Sequence, residues 1–204
     1  MSTLIIAIDG PAASGKGTLA RRIAKTLDLP YLDTGLLYRA VARKLMESHT
    51  DARDPLAATH AAETLQPSDL RRPDLRGEEV GMTASLIAAI PAVRAALLDY
   101  QRGFATKSGA VLDGRDIGTV IFPSAAIKLY ITASLEVRAQ RRALETDGIL
   151  ADVTEELAAR DKRDQGRGTA PLKPAKDAML LDTSALNPDE AFAAAMRLIR
   201  GRLS

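Results

Sequence analysis

Residues Gly10 to Thr18 read Gly-Pro-Ala-Ala-Ser-Gly-Lys-Gly-Thr and follow directly on the apolar run Leu4-Ile5-Ile6-Ala7-Ile8. This order reads as a strand emptying into a glycine-rich loop, with a helix starting near Lys16. The glycines let the backbone curl so that consecutive N–H groups point at one anion. The helix N-terminus behind them adds partial positive charge. Gly10, Pro11, Ala12, Ala13, Ser14, Gly15, Lys16, Gly17 and Thr18 are therefore the candidate cradle for the phosphates of a nucleoside triphosphate. Lys16 can reach the outer phosphates, and Thr18 can offer its hydroxyl to Mg²⁺. The common pattern places Ser or Thr directly after the Lys; here Gly17 intervenes.

The 204 residues suffice for one large domain with a real core. Lys plus Arg number 28 against 26 for Asp plus Glu, so a net charge of +2 points to no particular partner. The arginines cluster instead, most densely from Arg138 to Arg167. Aromatics at 3% argue against a base-stacking surface for a nucleic acid polymer. With no cysteine, a disulfide framework and a thiolate zinc site are excluded. His49 and His60 lie apart in a polar stretch and read as solvated side chains. The N-terminal apolar run is too short and lacks the basic flank of a signal peptide, and no stretch approaches a membrane span. The expected location is cytoplasmic, without membrane attachment. The default oligomeric state is a monomer, since no hydrophobic heptad or self-pairing edge is evident.

Strand-like runs fall at Leu4–Asp9, Tyr31–Asp33, Ala110–Asp113, Ala126–Ile131 and Met179–Asp182. Between them lie helical patterns at Lys16–Leu27, Leu36–Glu47, Pro91–Thr106, Leu135–Thr146, Val153–Arg163 and Asp189–Leu203. The alternation predicts an α/β fold, a five-stranded parallel sheet with helices on both faces. Asn187-Pro188-Asp189-Glu190 is a helix start, with a capping side chain, Pro at the first turn and acidic residues behind it. The chain reads as a single domain over 1–204. Segment 49–79 is a short polar insert with a helical patch near Pro55–Leu65. Segment 148–174, with Gly and Pro in its second half, is a mobile lid.

Three further motifs stand at the carboxyl ends of strands or in the lid, where open α/β sheets bind ligands. They are Tyr31-Leu-Asp-Thr-Gly-x-x-Tyr-Arg39, Asp113-Gly-Arg-Asp-x-Gly-Thr-Val-x-Phe-Pro123 and Arg160-Asp-x-Arg-Asp-x-x-Arg167-x-x-Ala-Pro-Leu172. With the phosphate loop, this set resembles the bacterial cytidylate kinases, from Leu4 to the last helix. The loop is shared by many enzymes; the other motifs are far more specific. The resemblance implies a P-loop kinase fold with an acceptor-side insert and a lid. It implies Mg²⁺-dependent transfer of the γ-phosphoryl group of ATP to CMP or dCMP.

Such transfer crowds the charge of ATP against a monophosphate, so the protein must position groups and neutralise charge. Arginine suits this because its planar fork stays charged and binds phosphate in a bidentate manner. Arg39, Arg115, Arg160 and Arg167 are the acceptor-phosphate and transition-state cations, with Lys16 as the catalytic cation on ATP. Asp113, closing the third strand, can hold a water on Mg²⁺ beside Thr18. Asp33 is either a second such carboxylate or the cap of the helix beginning at Gly35. The resemblance carries the cytosine contacts onto Ser85, Arg94 and Asp116, aligned on Ile90-Pro91-x-Val93-Arg94. Read without it, Ser85 and Arg94 are polar positions on helices flanking the insert. Arginine donates to O2 and N3 of cytosine, and aspartate accepts from N4, where uracil would present a repelling carbonyl. Thr34 would touch the acceptor nucleotide and Asp164 its sugar. Arg138, Arg141 and Arg142 either reach the ATP phosphates or form a solvated basic face.

Family members often carry a longer insert with a small antiparallel sheet; here no alternating strand pair is visible. A kinase for UMP, AMP or a shikimate-like acceptor is the alternative. A GTP-dependent switch lacks its usual Asn-Lys-x-Asp run, and a regulator without turnover makes poor use of Lys16 and the lid arginines.

Overall fold

The computed structural model describes residues 3–105 and 109–203. Five strands, β1 (Ile5–Asp9), β2 (Tyr31–Asp33), β3 (Ala110–Gly114), β4 (Ile127–Thr132) and β5 (Met179–Asp182), form one sheet in the order β2-β3-β1-β4-β5. β1 runs parallel to β3 and β4, and β4 parallel to β5. The helices are α1 (Lys16–Thr26), α2 (Thr34–Glu47), α3 (Pro55–Glu63), α4 (Glu78–Ile87), α5 (Pro91–Phe104), α6 (Leu135–Thr146), α7 (Leu150–Gln165) and α8 (Pro188–Leu203). The expected α/β fold with a five-stranded parallel sheet is the fold observed. Strand and helix ends agree with the sequence pattern to within a residue or two, except that α7 is longer at both ends. The expected helix end at Thr106 lies outside the described residues. α4 is not delimited by the pattern, although Val80, Ala84 and Ile87 repeat at helical spacing along it.

The chain divides into two compact units, Met1–Leu32 with Ala105–Ser204, and Asp33–Phe104. In the first, the period-two alternation of strands sorts side chains to opposite faces. Ile6 and Ile8 of β1, Val111 of β3 and Ile127, Leu129 and Ile131 of β4 bury against Ile23 of α1 and Ile199 of α8. Asp9 and Lys128 fall on the other parity and are buried too. α8 opens on the capping side chain that its sequence predicts, and the structure adds a reciprocal bond. Asn187 Oδ1 accepts from the Asp189 and Glu190 N–H groups at 2.9 and 3.0 Å, and Glu190 accepts from the Asn187 N–H at 2.9 Å.

The second unit is helical among its described residues. Leu37, Val41 and Leu45 of α2 pack with Ala58 and Ala62 of α3, Val80 and Ile87 of α4, and Val93 and Leu97 of α5. Segment 49–79 contains no strand; α3 and two short 3₁₀ turns, Asp69–Arg71 and Pro73–Arg76, fill it. His49 and His60 are exposed, as expected. Among the described residues no single helix is long and apolar enough to cross a membrane.

Candidate active site

β1 and β3 are neighbours with Asp9 opposite Gly114, so the loops that follow them start side by side. A Cβ on Gly10 would collide with the Ile131 carbonyl oxygen, 2.0 Å from the position it would take. Gly15 sits at the N-cap of α1 with φ 83°, a left-handed conformation that favours glycine. Two carbonyls of the loop are held by side chains from elsewhere in the unit. Arg138 Nη1 donates to Ala12 O at 3.3 Å, and the single Thr183 hydroxyl proton is shared between Ser14 O and Thr132 O, both 3.1 Å from Oγ1. Arg141 Nη1 donates in turn to Thr183 Oγ1 at 3.0 Å. With these carbonyls engaged, the two peptide planes that carry them are held in place. The Ser14 hydroxyl is buried and has no hydrogen-bond partner among the described residues.

Asp113 is the next-to-last residue of β3 and is 3% exposed. A Cβ on Gly17 would stand 3.1 Å from Asp113 Oδ2. The glycine that displaces the usual Ser or Thr thus leaves room for this carboxylate, one residue before the Thr18 hydroxyl. Hard oxygen donors of this kind suit Mg²⁺, which takes one or two protein ligands and completes its shell with water and phosphate. The residues present fit that ion.

Asp164 gathers the arginines. It is 1% exposed and accepts from Arg115 Nε at 2.9 Å and from Arg167 Nη2 at 2.5 Å, with Arg160 Nε at 4.0 Å. Burial pushes its carboxyl up, but the guanidiniums of Arg115, Arg167 and Arg160 outweigh that and hold it below the usual carboxylate range. One ionised aspartate therefore pairs with three cations, Arg115 and Arg167 through hydrogen bonds and Arg160 at the longer distance. Such pre-placed positive charge need not reorganise when negative charge develops beside it.

The remaining candidates divide between the units. Asp116 is buried in the first, directly before a turn of π type at Ile117–Ile121. Thr34, Arg39, Ser85 and Arg94 lie in the second. Arg39 Nη1 donates to Leu75 O at 2.8 Å and to Gly77 O at 3.1 Å. Ser85 on α4 is 3% exposed, and Arg94 on α5 is 9% exposed with its guanidinium 5.9 Å from the Tyr38 ring centre. Asp33 occupies the N-cap position of α2, yet its side chain makes no capping bond and instead stands 3.6 Å from Arg76 Nη2.

Residues 6–201 match the profile of the cytidylate kinase family. The chain belongs to the cytidylate kinase family. It is 58% identical to the cytidylate kinase of Acidiphilium cryptum over 201 residues, covering 96% of this chain and 95% of that protein. It is 55% identical to the cytidylate kinase of Granulibacter bethesdensis over 202 residues, covering 97% of each. Among solved structures it is similar in fold to an uncharacterized protein from Eubacterium ventriosum, at TM-score 0.59 and 15% identity over 98% of this chain and 99% of that one. It is likewise similar to TT1252 from Thermus thermophilus, at TM-score 0.53 and 18% identity over the whole of both chains.

Within this family member, the structure separates the arginines whose roles the sequence left open. Arg138 is not part of a solvated basic face; it is 5% exposed and also donates to Asp161 Oδ2 at 2.6 Å. Arg142, one turn on, is the surface member, 3.4 Å from Glu145. A cavity of about 360 Å³ opens beside the phosphate loop, lined by Ala13, Gly15, Thr18, Arg141, Leu186 and Asn187. Its far wall comes from the β5–α8 connection, about 170 residues downstream of the loop. No local sequence signal marks that wall.

Proposed function

We propose that the chain transfers the γ-phosphoryl group of ATP to CMP or dCMP, giving ADP and the diphosphate. The observation that carries this reading is the set of three arginines held on Asp164, in the same unit as a Lys-bearing phosphate loop. A hydrolase has no need of so many cations beyond those on its triphosphate; a second phosphorylated substrate does. Residues 10–18 hold the ATP phosphates, with Lys16 on the transferred group. The cavity beside them takes the base and ribose of ATP, its volume lying within the range of small-molecule sites.

To the acceptor we assign Arg115, Asp116, Arg160, Asp164 and Arg167 from the first unit, and Thr34, Arg39, Ser85 and Arg94 from the second. Arg39, Arg115, Arg160 and Arg167 neutralise the acceptor phosphate, and Arg115, Arg160 and Arg167 also stabilise the transferring group. Asp164 offers an oxygen to the sugar. Ser85, Arg94 and Asp116 read cytosine. Thr18 and Asp113 would hold Mg²⁺, which when bound supplies charge neutralisation on the phosphates. The attacking oxygen is already ionised, so no general base is assigned. Segment 49–79 acts as the acceptor-side insert and 148–174 as the lid, whose closure excludes water that would otherwise take the phosphoryl group. The enzyme is a monomer of the cytoplasm, where ATP is plentiful.

The test is ADP release from ATP and Mg²⁺ with CMP, dCMP, UMP, AMP and GMP offered separately. Turnover confined mainly to CMP and dCMP is expected. Equal or faster turnover with another acceptor would refute the base assignment, and none with any would refute the kinase reading.

A further inference from the structure

Asp9 is the last residue of β1 and is 4% exposed, one position before the phosphate loop. None of the motifs includes it. Its carboxylate accepts from two successive backbone groups, Oδ1 from the Ile117 N–H at 2.7 Å and Oδ2 from the Gly118 N–H at 2.8 Å. These are the first two N–H groups of the π-type turn, which closes through Phe122 N–H donating to Ile117 O at 2.7 Å. The opening N–H groups of any helical turn lack partners inside it, and a side chain at the N-cap normally supplies one. Asp116 holds that N-cap position but makes no side-chain capping bond. Asp9, 108 residues earlier, does the capping.

The consequence for Asp116 is direct. The Ile117 N–H shares a rigid peptide plane with the Asp116 carbonyl. Holding that N–H fixes the backbone rotation at Asp116 and so the direction from which its side chain departs. Space around the contact is closed as well: a Cβ on Gly118 would stand 3.3 Å from Asp9 Oδ2 and 3.1 Å from Lys128 Cδ. The titratable groups that face Asp9 are Arg115 and Asp116, just before the turn, and the neutral phenol of Tyr130 from β4. Burial pushes the Asp9 carboxyl up to about 6, against the pull of the two backbone bonds, which leaves it ionised at neutral pH with both oxygens able to accept.

We propose that Asp9 is a positioning residue that holds the turn directly following Arg115 and Asp116, and through that turn sets discrimination between cytosine and uracil. The specificity half rests on Asp116 reading the base, as assigned above. Asp9 also ties the start of the phosphate loop to the turn that serves the acceptor, since one side chain joins the ends of adjacent strands.

The experiment is Asp9→Asn, Asp116→Asn and the double variant, each assayed for kcat/KM with CMP and with UMP. A carboxamide keeps one acceptor and turns an NH₂ toward the other N–H, a donor facing a donor. The CMP-to-UMP ratio in Asp9→Asn is expected to fall at least about tenfold, and the double variant to fall no further than Asp116→Asn. A merely structural loss would lower active enzyme equally for both substrates and leave the ratio unmoved. An unchanged ratio in Asp9→Asn beside a lowered one in Asp116→Asn overturns the role of Asp9 and leaves the base assignment standing. An unchanged ratio in Asp116→Asn overturns the base assignment and the specificity half with it. The holding of the turn is then read from amide hydrogen exchange at Ile117 and Gly118, where protection equal to the wild type overturns that half too. Should Asp9→Asn not fold, Gly118→Ala displaces the same turn with the carboxylate intact, and its ratio is expected to fall likewise.

Discussion

Arg138→Met removes a guanidinium while keeping the apolar stem and the helix preference of α6. The wild-type side chain is 6% exposed and donates to Ala133 O at 3.0 Å, Ala12 O at 3.3 Å and Asp161 Oδ2 at 2.6 Å. Asp161 is itself only 16% exposed, and its Oδ1 has no hydrogen-bond partner among the described residues. Methionine therefore strands a largely buried carboxylate without its cation. Breaking a buried pair in this way costs about 3 kcal/mol, and an unsatisfied carbonyl such as Ala12 O about 1 kcal/mol more. Asp161→Asn leaves an acceptor for Arg138 and should cost about 1 kcal/mol. The double variant no longer buries a lone charge, so it should be more stable than Arg138→Met alone by at least about 1 kcal/mol. Urea unfolding of the four proteins reads these differences. ATP affinity, measured by calorimetry, should fall roughly tenfold in Arg138→Met, because Ala12 lies in the phosphate loop and loses its anchor. A double variant that is merely additive would refute the stranded-charge argument, and unaltered ATP affinity would refute the anchoring of the loop.

Lys16→Ala should lower kcat by roughly a hundredfold or more with the fold retained by circular dichroism, since a donor aimed at developing charge is lost; an unchanged kcat would remove Lys16 from the chemistry. Gly10→Ala should destabilise the protein by at least about 2 kcal/mol in thermal unfolding, because its methyl has only the Ile131 carbonyl to displace; wild-type stability would show that this strand crossing can relax. Asp9 binds its proton at about 6 in the folded protein against 3.8 unfolded, so the folded state holds more protons between these values and stability falls as pH rises through 6. Between about pH 7.5 and about pH 5 the wild type should gain roughly 1.4 kcal/mol relative to Asp9→Asn, read from urea midpoints, and a constant difference would mean Asp9 titrates normally.

The electrostatic design separates roles that a motif lists together. In the Arg160–Leu172 motif Asp161 pairs with Arg138, which reaches the Ala12 carbonyl of the glycine-rich loop, while Asp164 pairs with Arg115 and Arg167. Two aspartates three residues apart on α7 thus lead to different loops, as helical spacing permits. Lys128 is buried on β4 and joins the two stretches behind these loops, donating to Pro123 O and to Asp177 at 2.9 Å or less.

Local order was legible in the chain because it is written at short range. An apolar run, a glycine-rich loop and a helix former in sequence make the strand, phosphate loop and α1 without reference to anything distant. Asn187-Pro188-Asp189-Glu190 caps α8 as read, and Tyr31–Asp33 and Met179–Asp182 are strands to the residue. The sequence also singled out Arg115, Asp164 and Arg167, since each stands in a dense motif. That this one aspartate pairs with both arginines and with Arg160, that Arg138 and Thr183 anchor the loop carbonyls, and that Asp9 caps a turn 108 residues away was decided only by the tertiary structure. The strand order β2-β3-β1-β4-β5 sets β1 beside β3 and brings these groups together. Periodicity constrains neighbours along a helix or strand, whereas which buried charge meets which donor depends on how strands are ordered in the sheet.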